Sequence, residues 1–388
     1  MRRPPIARMV RDRVHVGVVL STIALAVFGG VMVWAATLTM TAHVAMVQRQ
    51  VLGVAVGLLA LAVMWVLDYQ VLKAWTGPLM IGLSILIISP RIPGLGASVA
   101  GATSWLQIAG VRLFQPSEPA KLLFIVVMAA IIAEYGGKLD KTPDILKVVG
   151  LASVPLMLIL LQPDLGTGMV FVAIASGMLL VGGMKARWFG VFALAGIVLV
   201  LAVFALNSVL VTSMNKPDGV LIKSYQVDRL LVFVDPTRDP KGAGYNLQQS
   251  KIAIGSGGLT GAGLGMGSQS RLNFIPERHT DFIFSVLGEQ LGFAGAVMLL
   301  ALYLALMASA LSVSASSRDL FGALVAAGLI SMWAFQILEN MGMTIGMMPI
   351  TGIPLPFMSY GSSFMVTNLA GVGMLLSIWS RRYGTTTT

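Results

Sequence analysis

Five consecutive polar residues, Glu277-Arg278-His279-Thr280-Asp281, follow Pro276 and run straight into an apolar segment that opens Phe282-Ile283-Phe284. An ionisable group at such a junction sits where water gives way to a medium in which its charge is costly. Groups placed there are functional by default. A carboxylate in this position is suited to general-base work, so Asp281 is the candidate catalytic residue. Helix capping by Thr280 or Asp281 would account for one polar residue. It does not account for the crowding of Glu277, Arg278, His279 and Asp281, whereas ligand binding by Glu277, Arg278 and His279 does. The chain has 3 His and 0 Cys, which disfavours a His-rich metal centre and excludes thiolate chemistry and disulfides. An oxygen-ligated Mg2+ or Mn2+ stays chemically compatible, with no ligand set assigned.

A second cluster lies in Gln115-Pro116-Ser117-Glu118-Pro119-Ala120-Lys121, where Glu118 and Lys121 share one face of a starting helix. Ser117, Pro119 and Glu118 suit a helix start. A Lys just inside an apolar span favours neither the dipole nor burial. Lys121 is therefore read as a ligand for an anionic headgroup in preference to a side chain snorkelling to the surface. Asp164, in Gln162-Pro163-Asp164-Leu165-Gly166-Thr167-Gly168, either caps the next helix or helps organise a polar cavity.

The Gly-rich run 255–267 has no Lys-Ser/Thr after it, so turning or flexible backbone is expected in place of a phosphate loop. Residues 245–254 mix polar and apolar types at helical spacing, as in a short helix lying at a membrane interface. From Gly346 to Ser363 the chain is apolar yet rich in Gly and Pro. Such backbone is tolerated at membrane depth only when buried in protein or lining a cavity, so a re-entrant segment is expected. Glu339 and Asn340 precede it, and Glu289 follows Asp281 by about two helical turns.

The elements that must position these residues are membrane spans. The 388 residues are 56% hydrophobic and 11% charged, with a mean hydropathy of +0.86. A soluble domain carries about 25% charged residues, so most of this surface cannot face water. A span needs about 20 apolar residues. Stretches near 16–36, 48–67, 72–90, 119–134, 146–161, 165–184, 188–211, 282–312, 320–341 and 363–380 qualify. The expected fold is an all-α integral membrane protein of about ten transmembrane helices, one domain over 1–388. It has an N-terminal tail 1–15 and a large loop 212–281 between spans seven and eight. The first apolar stretch exceeds the roughly 7–15 residues of a signal-peptide core and reads as an uncleaved span.

Ten spans place both termini on one side. That side holds Arg2, Arg3, Arg8, Arg11, Arg13, Lys73, Lys138, Lys141, Lys147, Lys185, Arg187, Arg318, Arg381 and Arg382. The short loops and span ends opposite hold Arg49, Arg91, Arg112 and Lys121. The imbalance makes both termini cytoplasmic. The net charge of +10 is thus an orientation signal. Nucleic acid is not an expected partner, since no basic run interleaved with aromatics occurs. With no nucleotide motif in the cytoplasmic loops, the polar features gather outside: Glu118, Lys121, Asp164, the 212–281 loop, Asp281 and 342–363.

Taken together, these segments resemble the SEDS family (shape, elongation, division and sporulation). The likeness is carried by Gly101 through Lys121, Gln162 through Thr167, Ile275 through Phe284, Gly288 through Phe293 and Pro354 through Gly361. It runs from the first span to the last. Pro276 through Asp281, with Gln249 through Gly258, is more similar to the RodA elongation branch than to the FtsW division branch. The resemblance implies a ten-span inverting peptidoglycan glycosyltransferase in the bacterial cytoplasmic membrane. It would polymerise lipid II, an undecaprenyl-pyrophosphate-linked disaccharide peptide, outside the membrane, with a class B penicillin-binding transpeptidase and the elongation machinery as partners. The family's catalytic base falls on Asp281. One departure is Ser104-Trp105, where members often carry Arg-Trp; Arg112 is the candidate replacement for that basic group.

On this reading Asp281 takes the proton of the attacking sugar hydroxyl, and Lys121, Arg278 or Arg112 stabilises the departing pyrophosphate. The competing class is a lipid II flippase, which also fits charged groups and broken helices in a bundle. A flippase should carry its polar groups through the full membrane depth or on both sides, whereas these cluster at one face. A non-catalytic scaffold would leave Asp281 and its neighbours unexplained.

Overall fold

Helices occupy all ten stretches expected to span a membrane, in a computed structural model that describes residues 13–99, 102–108, 111–162, 164–214, 227, 231–233, 235, 239, 240 and 242–383. In chain order the helices are α1 (Val16–Thr37), α2 (His43–Val66), α3 (Tyr69–Ala74), α4 (Thr76–Ile88), α5 (Ser117–Ala133), α6 (Thr142–Leu160), α7 (Leu165–Val181) and α8 (Ala186–Met214). They continue with α9 (Ala243–Gly257), α10 (Ser268–Arg271), α11 (Ile283–Ala315), α12 (Leu320–Ile345) and α13 (Ser362–Ser380). Among the described residues seven helices are long and apolar enough to cross a membrane, and α4 and α7 are shorter apolar helices. The remaining expected span, α5, is 17 residues long.

Two local differences from the sequence expectation have clear causes. The third span is split at Trp75, whose non-helical backbone (φ −98°, ψ 15°) ends the short helix α3, capped at its start by Asp68 Oδ1 accepting from Gln70 N at 3.0 Å, before α4 begins. Between α4 and α5 the chain forms a small antiparallel sheet in the order β1 (Gly96–Val99), β2 (Ala102–Ile108), β3 (Val111–Phe114). Trp105 faces Ala97, and Arg112 faces Gln107.

The bundle is layered by burial, and apolarity does not set the order: among the candidate spans the most apolar, α8, is the least buried. α5, α12 and α13 form its centre: Phe124, Ile125, Leu329, Trp333, Leu369 and Leu375 are buried, and Phe124 meets Phe171 of α7 at 4.7 Å. α2 and α8 lie at the periphery and expose Leu59, Leu194 and Leu201, the surface lipid would cover. Glycine permits the closest approaches. A Cβ on Gly29 of α1 would collide with the Phe357 carbonyl, and one on Gly373 of α13 with the Leu61 carbonyl of α2. A smaller apolar cluster of Leu247, Ala253, Ile275, Phe282, Met343 and Ile350 ties α9 to the ends of α11 and α12.

Within the 212–281 loop, Gly255 to Gly267 is neither a phosphate cradle nor loose. Gly258, Gly261, Gly263 and Gly265 all take positive φ, and the loop folds onto a break in α11 at Gly292 (φ 63°, ψ −159°). Ala262 N and Gly263 N donate to the carbonyls of Glu289 and Gln290, while Phe293 N and Ala294 N donate to those of Gly258 and Leu259, all at 2.9–3.0 Å. The helix expected over 245–254 is α9, and it packs against α11 and α12. Ser250 Oγ lies 2.6 Å from Ser285 Oγ and donates to Thr344 O at 2.7 Å.

Candidate active site

One end of the bundle gathers the polar segments singled out in the sequence. Residues 276–282 form a run of turns ahead of α11, whose N-cap is Phe282 with no side-chain capping bond there. Asp281 is half-buried and Glu277 exposed. Glu277 Oε2 accepts from Thr280 Oγ1 at 3.2 Å. The turn is held mainly from outside. The carbonyl of His279 accepts from Tyr360 N at 2.9 Å, that of Thr280 from Ser359 Oγ at 2.7 Å, and that of Asp281 from Asn340 Nδ2 at 2.8 Å.

The two neighbouring side chains of the turn point into protein. Arg278 is 1% exposed. Its Nε donates to Ala36 O at 2.7 Å and a terminal nitrogen to Thr39 Oγ1 at 2.9 Å, so its charge meets the C-terminal end of α1. Burial pushes the Arg278 pKa down from its ordinary value. The His279 ring stands 5.4 Å from the Tyr360 ring. Burial lowers its pKa, Glu277 opposing and Arg278 reinforcing the shift.

The segment 351–361 is re-entrant in the sense expected: irregular backbone buried in protein. Asn340 Nδ2 also donates to Ile353 O at 2.7 Å, Thr351 Oγ1 bonds to Glu339 Oε1, and Tyr303 OH donates to Pro356 O at 2.6 Å. Gln50 of α2 accepts from Gly361 N at 3.1 Å and donates to Ser359 O at 3.5 Å. Phe357, fully buried, takes a left-handed φ of 62°.

Glu118 and Lys121 lie on the first turns of α5, paired at 2.8 Å and both buried, with Lys121 Nζ 5.4 Å from the centre of the Phe364 ring. Gln115 N donates to Ser363 Oγ at 3.3 Å, so this pair and the Asp281 turn border the same 359–364 stretch from two sides. Asp164 is the N-cap of α7, accepting from Thr167 N at 3.0 Å and Thr167 Oγ1 at 2.8 Å. That helix start abuts the re-entrant segment, since a Cβ on Gly166 would stand 3.1 Å from Thr351 O. Arg112 lies on β3, at the strand that leads into α5. Glu289 is buried and turned to α10, accepting from Gln269 N at 2.6 Å and Ser270 N at 3.0 Å.

Sequence reasoning assigned no task to Gln50, Tyr303, Asn340 or Ser359. The available signal was polarity inside apolar spans: Gln50 and Asn340 are buried amides in helices that are mostly apolar. Among the described residues no group of three or more His, Asp or Glu side chains converges as a metal site would require.

A bundle of apolar helices carrying a buried polar site at one end defines a multi-pass membrane protein. The chain belongs to the FtsW, RodA and SpoVE family of cell cycle proteins, whose pattern it matches over residues 16–384. It is 37% identical to the peptidoglycan glycosyltransferase MrdB of Escherichia coli strain K12 over 377 residues, covering 96% of this chain and 95% of MrdB. Its fold is similar to the rod shape determining protein RodA of Thermus thermophilus, with a TM-score of 0.67 and 27% identity over 95% of this chain and 97% of that one. It is also similar to a chain from work on structural coordination of polymerization and crosslinking by a peptidoglycan synthase complex, with a TM-score of 0.72 and 29% identity over 95% and 98%.

Proposed function

We propose that the chain is a peptidoglycan glycosyltransferase of the elongation type. It polymerises lipid II on the outer face of the bacterial cytoplasmic membrane, with both termini cytoplasmic and the site end of the bundle outside. The chain acts as one membrane domain. The acceptor hydroxyl attacks the anomeric carbon of the lipid-linked donor, and Asp281 takes the hydroxyl proton. A C–O bond forms with inversion as the bond to undecaprenyl pyrophosphate breaks. The pyrophosphate leaves as an anion and needs no acid to protonate it, so one carboxylate suffices where glycoside hydrolases use two. Lys121 is the cation placed to take up the developing charge, at the cost of loosening its pair with Glu118. Arg112 is a second candidate, whereas the Arg278 guanidinium is engaged by α1.

The observation that carries this reading is the Asp281 turn, a half-buried carboxylate whose main chain is fixed at three successive carbonyls. The name of MrdB supports the reaction. A likeness to a synthase complex that couples polymerization to crosslinking supports a class B penicillin-binding transpeptidase as partner, docking on the 212–281 loop and adjoining span ends. The deciding experiment is polymerisation of purified lipid II by the chain co-purified with such a partner. Asp281→Asn keeps size and removes basicity, so glycan synthesis should fall by about 10²-fold or more with the complex intact. Wild-type synthesis by that variant would overturn the assignment. Docking on the loop should raise the rate above that of the chain alone, and a rate unaffected by the partner would overturn the loop as an activation surface.

A further inference from the structure

We infer that Asn340 and Ser359 are positioning residues for the Asp281 turn, setting from outside where its carboxylate points. The inference rests on the reading of Asp281 as the base and adds two residues that have no task in substrate binding.

The turn does little to fix itself. The backbone bonds closed within it, Thr280 N and Phe282 N to Glu277 O, run at 3.3 and 3.1 Å and share one acceptor. Helical geometry begins only at Ile283, beyond the residue that matters. The direction of a short side chain follows from the φ and ψ of its own residue, hence from the peptide planes on either side. The plane before Asp281 carries the Thr280 carbonyl, which Ser359 Oγ holds at 2.7 Å. The plane after it carries the Asp281 carbonyl, which Asn340 Nδ2 holds at 2.8 Å. The two residues thus grip the two planes that define the Asp281 backbone.

Both grips are themselves anchored. Asn340 is fully buried on α12 and donates its other amide hydrogen to Ile353 O at 2.7 Å, so it couples the turn to the re-entrant segment. Ser359 is fully buried, and its oxygen accepts from Leu355 N at 2.8 Å while donating to the turn. The five residues from Leu355 to Ser359 are closed into a tight loop around Phe357, whose left-handed backbone a bulky side chain rarely adopts. Strain of that kind persists where the surroundings over-determine the backbone, and it concentrates at functional sites. Tyr303 and Gln50 hold the loop from α11 and α2. A purely space-filling segment would need neither the strained residue nor a buried amide reaching to a second backbone.

The test compares Ser359→Ala, Ser359→Thr and Asn340→Asp with Asp281→Asn in the full chain with its partner, measuring kcat and KM for lipid II. Amide hydrogen exchange at 279–283 and melting temperature are followed in the same samples. Misplacing a reacting group by about 1 Å costs roughly 10² in rate. Ser359→Ala and Asn340→Asp should therefore lower kcat by about 10-fold to 10²-fold, with KM unchanged and exchange at 279–283 faster, while the lost buried bonds also lower the melting temperature. Ser359→Thr keeps the hydroxyl and should restore kcat. Wild-type kcat in Ser359→Ala and Asn340→Asp, beside an inactive Asp281→Asn, overturns the positioning role and leaves the base assignment standing. An active Asp281→Asn overturns the base assignment instead. If Asn340→Asp does not fold, the Ser359 pair decides: parallel losses of activity and melting temperature in both Ala and Thr would mark the residue as structural only and overturn the inference.

Discussion

Lys121 Nζ lies 2.8 Å from Glu118 Oε2 one turn back on α5, and both side chains are shut off from solvent. A buried pair of this kind contributes little net stability, because desolvation offsets attraction, yet removing one partner strands the other. The arrangement keeps a cation inside the bundle beside a carboxylate already in place, for which, on the proposed reading, an incoming pyrophosphate would have to compete.

Replacing Lys121 by Met should therefore do two separable things. It leaves Glu118 buried without its counter-charge and should cost about 3–5 kcal/mol, read as a lowered melting temperature in detergent. On the proposed reading it also removes the ligand for the pyrophosphate headgroup. The double variant Glu118→Gln, Lys121→Met should recover most of the melting temperature but not lipid II affinity, measured by direct binding. Recovery of both would show that Lys121 matters only to packing.

His279 gives stability a defined pH dependence. Burial lowers its folded-state pKa below the ordinary value of 6.5, so the unfolded chain takes up the proton first as pH falls. Its contribution is intact above about 6.5 and is lost progressively below it, toward the lower folded-state value. The melting temperature of the wild type should fall between pH 7.5 and 5 by more than that of His279→Gln. Parallel curves for the two would remove His279 from the account.

Asp164 behaves as a helix cap. Asp164→Ala removes acceptors for Thr167 N and Thr167 Oγ1 and should destabilise by about 0.5–2 kcal/mol. Asp164→Asn or Asp164→Ser, which keep a capping oxygen, should recover most of it. If all three lower turnover equally at unchanged stability, the residue contacts substrate instead.

Gly292→Ala is expected to be among the most damaging single changes outside the site. The residue has a positive φ, and an added Cβ would strike Gly261 N and the Leu259 main chain. The backbone strain alone costs about 1–3 kcal/mol, before the loop is displaced. A wild-type melting temperature for this variant would rule out the clasp between loop and helix.

The ten spans were legible because hydrocarbon thickness imposes a length and an apolar composition, and a stretch such as 188–211 satisfies both without help from tertiary contacts. The Glu118–Lys121 pairing and the Asp164 cap were legible for a related reason: both are local, set by spacing along one helix. The short strands 96–114 were not, since their pairing depends on a crowded turn between two spans that periodicity does not register. Nor was the external hold on Asp281. Asn340 and Ser359 stand 59 and 78 residues away in sequence, and only the folded chain brings their donors to its backbone. Arg278 shows the same limit: its place in a polar run suggested a ligand, and only the fold brings its guanidinium to Ala36 near the end of α1 and to Thr39 just beyond it.

The break in α11 leaves that membrane span without a continuous ladder of its own, and residues 258–263 act as a splint, holding one stub through Glu289 and Gln290 and the other through Phe293 and Ala294. An exposed glycine-rich loop is ordinarily where a chain accepts tags, cleavage or replacement by a flexible linker. This one is a missing piece of a helix and has no such freedom.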